Sequence, residues 1–410
     1  MKLKLHWQII IAMIAAWMFA LILGERSGFV EPFGTLFIRL LKMIIVPLVI
    51  LSITTSVASI GDPKSLGRLG IKTFVYYICS SLLAILIGVG LVNSIQPGQG
   101  VELGEGPAVS SESLKKPASA TDLILRIIPT NPVAAAAEGD MLGLIFFSIL
   151  FGFALTQVSQ SIRDKILPLI EAGFEVIMRL THIIIKFAPV GVFGLIVTMV
   201  NQNMGAGFFK AVGLYMVTIA VGLSLHLFIV LPLILYLFTR RNPVDQFTHM
   251  VSALATVFAT SSSLAALPVT MECVEKNISI SPKVANFVLP LGATVNMDGA
   301  ALFECVGVLF IAQVMGVELG VDQQILVVLT ALLGSIGTAA IPSAGLVMIF
   351  VLLDIVGLQG ELIPMIVGTM LAVDRPLDMY RGIINIFSDS VGAVVIAHSE
   401  GEPIQSAINK

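Results

Sequence analysis

Long apolar stretches recur along the chain. A helix needs about 20 apolar residues to cross the hydrocarbon core of a bilayer. Segments 7–24, 33–60, 71–95, 123–158, 166–200 and 208–239 reach or approach that length, and each predicts a spanning helix. Several exceed it and predict tilt or a break, with Pro129 and Pro132 breaking the fourth. The second half follows another pattern. Segment 247–276 is interrupted by Thr260-Ser261-Ser262-Ser263 and then Pro268. Segment 325–358 is interrupted by Gly334-Ser335-Ile336-Gly337-Thr338 and Pro342-Ser343-Ala344-Gly345. Non-helical backbone at membrane depth is tolerated only inside protein or beside a wet cavity. A pair of interrupted apolar segments therefore points to a binding site; the plainer alternative is two kinked spanning helices. Fuller spans follow at 282–315 and 362–397. The pattern predicts an all-α polytopic membrane protein with eight transmembrane helices, two re-entrant helical hairpins and an internal inverted repeat.

Composition supports lipid as the solvent. Of 410 residues, 57% are hydrophobic and 12% charged, about half the charge of an ordinary soluble domain. A net charge of −3 with no basic run excludes a nucleic-acid surface. Cys79, Cys273 and Cys305 lack the spacing of a zinc site or a disulfide framework. The start, Met1-Lys2-Leu3-Lys4 and an apolar run, imitates a signal peptide, but no small-residue cleavage site follows, so it reads as a first spanning helix. Lys2, Lys4, Lys64, Arg68, Lys72, Arg163, Lys165, Arg240 and Arg241 fall on one side if six helices alternate. The positive-inside rule then places both termini in the cytoplasm, and the short loops suit a cell inner membrane.

The chemistry concentrates in the last span. Asp374, Asp378, Arg381, Asn385 and Asp389 are spaced by 4, 3, 4 and 4, which puts them on one helical face. Charge facing lipid costs several kcal/mol, so this face looks into protein or water. The plainer alternative is a set of salt bridges locking the bundle, but the excess of acid asks for a cation. Arg381 carries a planar fork suited to a carboxylate, Asp378 suits an ammonium, and Asn385 can donate to a second carboxylate. Together they describe an amino acid with an acidic side chain; for Arg381 alone, an ion pair with Asp378 is the alternative, and both can hold at different times. Gly292-Ala293-Thr294-Val295-Asn296-Met297-Asp298-Gly299 is poor helix and a good source of oxygen ligands for a hard cation; a glycine kink with a hydrogen-bonded Asp is the alternative. His182 and His226 read as helix-contact histidines rather than a proton relay, and Trp7 and Trp17 as helix or interface anchors.

These segments resemble the glutamate transporters, the dicarboxylate/amino acid:cation symporters. The resemblance rests on the serine-rich interruption before Leu267-Pro268-Val269-Thr270-Met271, on Asn296-Met297-Asp298-Gly299, and on Ser335-Ile336-Gly337-Thr338 with Pro342 and Gly345. It continues through Asp378-x-x-Arg381-x-x-x-Asn385-x-x-x-Asp389, Tyr76-Tyr77-Ile78-Cys79-Ser80-Ser81 and Lys186-Phe187-Ala188-Pro189-Val190-Gly191-Val192-Phe193, and so covers essentially the whole chain. It implies a membrane-embedded homotrimer that couples acidic amino acid uptake to about three sodium ions. By the same resemblance, residues 1–70 hold scaffold helices 1 and 2, 71–120 helix 3 and an extracellular loop of the transport domain, 121–205 scaffold helices 4 and 5, and 206–410 the remaining transport domain, which slides as an elevator. The substrate would touch Ser261, Ser263, Ile341, Gly345, Asp378, Arg381 and Asn385. Sodium would use Gly292, Asn296, Asn385 and Asp389 at one site, Thr294, Ser335, Ile336 and Thr338 at a second, and Tyr77, Ser80, Ser81, Asn296 and Asp298 at a third.

The chain departs from the family pattern at two positions. Ala300 and Gly382 stand where acidic amino acid members carry threonine, which predicts an enlarged pocket and leaves a bulkier amino acid open. Arg381 argues for an acidic end, because neutral amino acid members tend to lose that arginine. Ser261 replaces an arginine of archaeal members, and Arg375 is expected to supply that charge. The rivals are a proton-coupled dicarboxylate or glutamate symporter of the same fold, and, from other classes, a channel or an intramembrane enzyme; no nucleophile–base constellation supports an enzyme.

Overall fold

The computed structural model describes residues 5–58, 63–101, 128–138, 140–201, 206–337, 344–360 and 362–402. Regular structure among them is helical throughout. The elements are α1 (Leu5–Leu23), α2 (Glu31–Ala58), α3 (Pro63–Ile95), α4 (Pro132–Glu138), α5 (Met141–Gln157), α6 (Gln160–Lys186), α7 (Ala188–Asn201) and α8 (Ala206–Leu225). They continue as α9 (Leu231–Thr239), α10 (Pro243–Thr260), α11 (Ser263–Glu272), α12 (Pro282–Val295), α13 (Asp298–Val314), α14 (Val321–Gly337), α15 (Ala344–Ile355) and α16 (Ile363–Ser399). Five stretches among the described residues are long and apolar enough to cross a membrane: Arg26–Ala58, Arg68–Ile95, Gly207–Thr239, Pro282–Val314 and Val373–Ser399.

The fifth segment, long enough to predict tilt or a break, bends by 51° between α6 and α7. Pro189, in the first turn of α7, has no N–H to continue the preceding helix. Within the fourth segment, Pro132 opens α4 instead of ending a helix, and residues 123–127 lie outside the described set. The break predicted in 247–276 falls where expected. Ser261 takes the left-handed conformation at φ 52°, its N–H returning to the Val257 carbonyl at 2.7 Å. Ser262 then caps α11 by accepting from Ala265 N at 3.3 Å. α10 packs back on α11, and both lie against α16. Residues 338–343, which link α14 to α15, lie outside the described set.

Two groups of helices are evident. α2 packs against α5, α6 and α7, and α7 packs against α1. The other group is built on α16, a 37-residue helix, about 55 Å long. It lies against α10, α12 and α13, while α13 fills the space between α3, α14 and α15. The groups meet mainly where α7 touches α16 and α2 touches α14 and α15. An apolar run of 18 residues within Pro282–Val314 is wholly buried although its composition would suit lipid. Its neighbours therefore shield the one place where that stretch stops being helical.

Candidate substrate and cation site

That break lies between α12 and α13. Asn296 (φ −94°, ψ 73°) and Met297 (φ −102°, ψ 56°) leave the helical region. A broken helix exposes N–H groups at the start of its second half, and Gly299 N donates to the Asn385 Oδ1 of α16 at 2.9 Å. Asn385 Nδ2 points at Met297 Sδ at 3.2 Å. The break and α16 thus hold each other in register.

Asp298, at the first position of α13, is fully buried. Its Oδ1 accepts from Ser81 Oγ at 2.6 Å, and its Oδ2 from Ser80 Oγ at 2.5 Å and Ser388 Oγ at 2.7 Å. His226 Nε2 stands 3.0 Å from the same Oδ2. His226 opens a π-helical segment, His226–Val230, between α8 and α9, and is itself fully buried. Asn296 Nδ2 donates to Ser388 Oγ and to Asp389 Oδ1, both at 2.9 Å. Tyr77 Oη donates to the Val288 carbonyl at 2.6 Å. Gly292 allows a close approach: a Cβ there would collide with Asp389 Oδ1 and lie 2.6 Å from Tyr77 Oη.

Tyr77, Ser80, Ser81, Gly292, Asn296, Asp298, Asn385 and Asp389, grouped beforehand by the family resemblance, therefore lie close together. Ser388 and His226 join them without having been singled out as ligands. The i,i+3 step from Asn385 to Ser388 was the available signal for the serine. None existed for the histidine, whose pairing with Asp298 spans 72 residues. It contacts another helix, as expected, and its partner there is the site's carboxylate, whereas His182 bonds Met178 O in its own helix. The hydroxyls of Thr294 and Ser335 turn back onto the carbonyls of Leu291 and Leu332. Ile336 lies near the end of α14, and Thr338 and Ile341 lie outside the described residues.

One turn along α16, Arg381 is also buried. Its Nη2 donates to Asp378 Oδ1 at 2.7 Å and Asp374 Oδ1 at 2.9 Å, and its guanidinium lies 3.8 Å from the Phe303 ring centroid. Arg375 Nη1 reaches Asp378 Oδ2 at 3.3 Å. Two acids and two bases balance here, so the salt-bridge alternative describes this end of the stripe. The Asp298 and Asp389 end has two carboxylates and no lysine or arginine partner among the described residues. Buried charge in that condition is costly, and the oxygen-rich donor set, with Asn296 Oδ1 unpartnered among the described residues, fits a hard cation such as sodium.

Arg381 Nη1 also has no partner among the described residues. It faces Gly345 of α15, where a Cβ would stand 3.0 Å from it. A Cβ on Gly299 would come within 3.0 Å of the Arg381 backbone. Ser261 Oγ, at the α10–α11 turn, is likewise buried and unpartnered among the described residues, and Ser263 is buried beside it. One expectation is corrected. Gly382 does not enlarge the pocket, because its missing side chain would meet Val257 Cγ2 at 2.7 Å.

The comparisons with known proteins come to the same place. The model of the Sodium:dicarboxylate symporter family matches residues 5–399. The chain belongs to that family. Among its relatives, human Excitatory amino acid transporter 3 is 33% identical over 91% of this chain and 79% of its own length. Human Neutral amino acid transporter B(0) is 37% identical over 91% of this chain and 74% of its own. Mouse Excitatory amino acid transporter 4 is 34% identical over 89% of this chain and 76% of its own. This family member is thus a multi-helix membrane transporter of a sodium-symporter family whose relatives include both excitatory and neutral amino acid transporters.

Proposed function

We propose that the chain is a sodium-coupled symporter of an acidic amino acid, aspartate or glutamate. The observation that carries this reading is Arg381: buried, held by Asp374 and Asp378 through one nitrogen, with the other lacking a partner among the described residues. A guanidinium fixed in this way binds a carboxylate in a chosen orientation. Asp378 lies one turn away to take the substrate ammonium, and Asn385 with the Ser261–Ser263 turn supplies donors for the second carboxylate. Gly345 leaves room for the approach, with Ile341 of the adjoining segment as a further contact.

Sodium is the co-transported cation. Gly292, Asn296, Asn385 and Asp389 form one site, Tyr77, Ser80, Ser81, Asn296 and Asp298 another, and Thr294, Ser335, Ile336 and Thr338 a third on the α14–α15 side. Cation binding around Asp298 and Asp389 steadies the α12–α13 break. Because Asn385 bonds both Gly299 N and Met297 Sδ, the break and the substrate face are ordered together. Coupling then follows from site assembly. About three sodium ions also offset the substrate's charge against the membrane field. The protein works as a homotrimer in the cell inner membrane with cytoplasmic termini. Residues 1–70 and 121–205 form a fixed scaffold, and 71–120 and 206–410 move as an elevator.

The relative named for neutral amino acids favours a second reading, in which a neutral amino acid is carried with sodium. Binding of aspartate, glutamate, succinate, alanine and serine to purified protein, with sodium and without, decides between them. Sodium-dependent binding of aspartate or glutamate is expected. Binding of alanine or serine alone would move the substrate, and sodium-independent binding governed by pH would replace sodium with protons.

A further inference from the structure

The geometry points to Val257 as a selectivity-determining residue: from α10 it fills the space that a side chain at position 382 would take, and so limits the substrate accepted beside Asp378 and Arg381. Position 382 directly follows Arg381 and lies four residues, one helical turn, after Asp378. It therefore borders the polar stripe of α16. A Cβ on Gly382 would stand 2.7 Å from Val257 Cγ2, and Val257 is fully buried. The wall here is an aliphatic methyl delivered by a different helix, where a threonine on α16 would have brought a hydroxyl. Val257 acts on the site a second way. Its carbonyl accepts the Ser261 N–H at 2.7 Å and closes the left-handed turn that presents Ser261. One residue thus spaces α10 from α16 beside Arg381 and closes the turn that carries Ser261. Gly382 permits the close approach, and Val257 sets its distance.

This inference rests on the acidic amino acid reading for its choice of probes, and the experiment separates the two. Purified full-length protein in saturating sodium is titrated with aspartate, glutamate and 2-aminoadipate, which grow by one methylene at a time. Val257→Ala is expected to shift the ratio of Kd values toward the longer acids by about 10-fold or more, the scale of one methylene in a fitted pocket. Val257→Thr, of nearly equal volume, should leave the ratio within about twofold. An unchanged ratio in Val257→Ala, or an equal loss for all three acids, overturns the inference. If Val257→Ala does not fold, Val257→Ala/Gly382→Ala refills the space from the other helix; it should fold and retain the wild-type order, and a changed order there also overturns it. If the wild-type protein binds none of the three acids but binds alanine, the acidic reading fails by itself. The same ratio is then read with alanine, 2-aminobutyrate and norvaline, and Val257 stands or falls on that series.

Discussion

At the scale of single residues, function depends on how buried charges are matched. Arg381 is matched within its own helix, which is why it can be buried without collapsing onto a distant acid. Arg381→Ala should abolish aspartate and glutamate binding while leaving sodium-dependent stabilisation of the protein in place. Retained acid affinity in a calorimetric titration would remove the central assignment. Asp298 is matched differently, by three serine hydroxyls and one imidazole. Each donor turns the carboxylate and limits where its remaining lone pairs can point. His226→Ala should raise the sodium concentration needed for half-maximal thermal stabilisation by about 10-fold, the scale of one lost hydrogen bond to a charged group. His226→Gln, which keeps an N–H donor, should recover most of it; equal failure of both variants would show that the ring's shape matters and not its donor. Asn296 and Asp298 stood out in the sequence as polar residues in an apolar run, while Ser80 and Ser81 were reached through the family resemblance. His226 did not stand out, because a lone histidine in a span looks the same whether its partner is a carboxylate or a backbone carbonyl.

At the scale of elements, the informative places are those where a helix stops. The interruption at Ser261 was readable because three serines in an apolar run oppose helix continuation. The break at Asn296–Met297 was readable as weak helix, but its register was not, since that depends on Asn385 reaching across from α16 to Gly299 N. The 51° bend before α7 was expected only as tilt or a break somewhere in an overlong span, and its place went unread because Pro189 lies inside the stretch and not at its edge. Gly382 was misread for a related reason: a missing side chain implies space only if no neighbour occupies it, and Val257 does. Gly292 makes the complementary case. Gly292→Ala would push a methyl into the Asp389 carboxylate, so sodium affinity should fall by at least about 10-fold. The chain should still fold, since alanine suits helix better than glycine. A sodium titration followed by thermal shift checks this, and an unaltered sodium response would remove Asp389 from the cation site.

At the scale of the whole molecule, the two ends of α16 are treated differently. Its middle lies in the charged site, while its C-terminal end is tied to α3 by a cluster at the border of the apolar spans. Arg68 donates from Nε and Nη2 to both oxygens of Glu400 at 3.0 Å, and Lys72 reaches Glu400 Oε1 at 2.6 Å. Nearby, Glu402 accepts from Ser281 N at 3.0 Å and from the Ser281 hydroxyl at the start of α12. The helix carrying Arg381 is thereby fastened to α3 and α12, which carry residues proposed as cation ligands, by contacts 121 to 332 residues apart in sequence. No local pattern could have announced them. The hydrogen bonds from Arg68 and Lys72 hold the Glu400 carboxyl down at about 2, from an ordinary value near 4.5. A carboxyl whose pKa is lowered by folding stabilises the fold fully above its unfolded value and loses that contribution as pH falls toward its folded value. The melting temperature of Glu400→Gln should therefore lie below that of the wild-type protein by the same margin at pH 7 and pH 6. The margin should shrink below about pH 4.5, where the carboxylate of the unfolded chain takes up its proton and the folded one does not. Glu400 is solvent-accessible, so the margin should also narrow in concentrated salt. A margin that persisted unchanged from pH 7 to pH 3.5 would mean that α16 is held at this end by packing and not by the charges on Arg68 and Lys72.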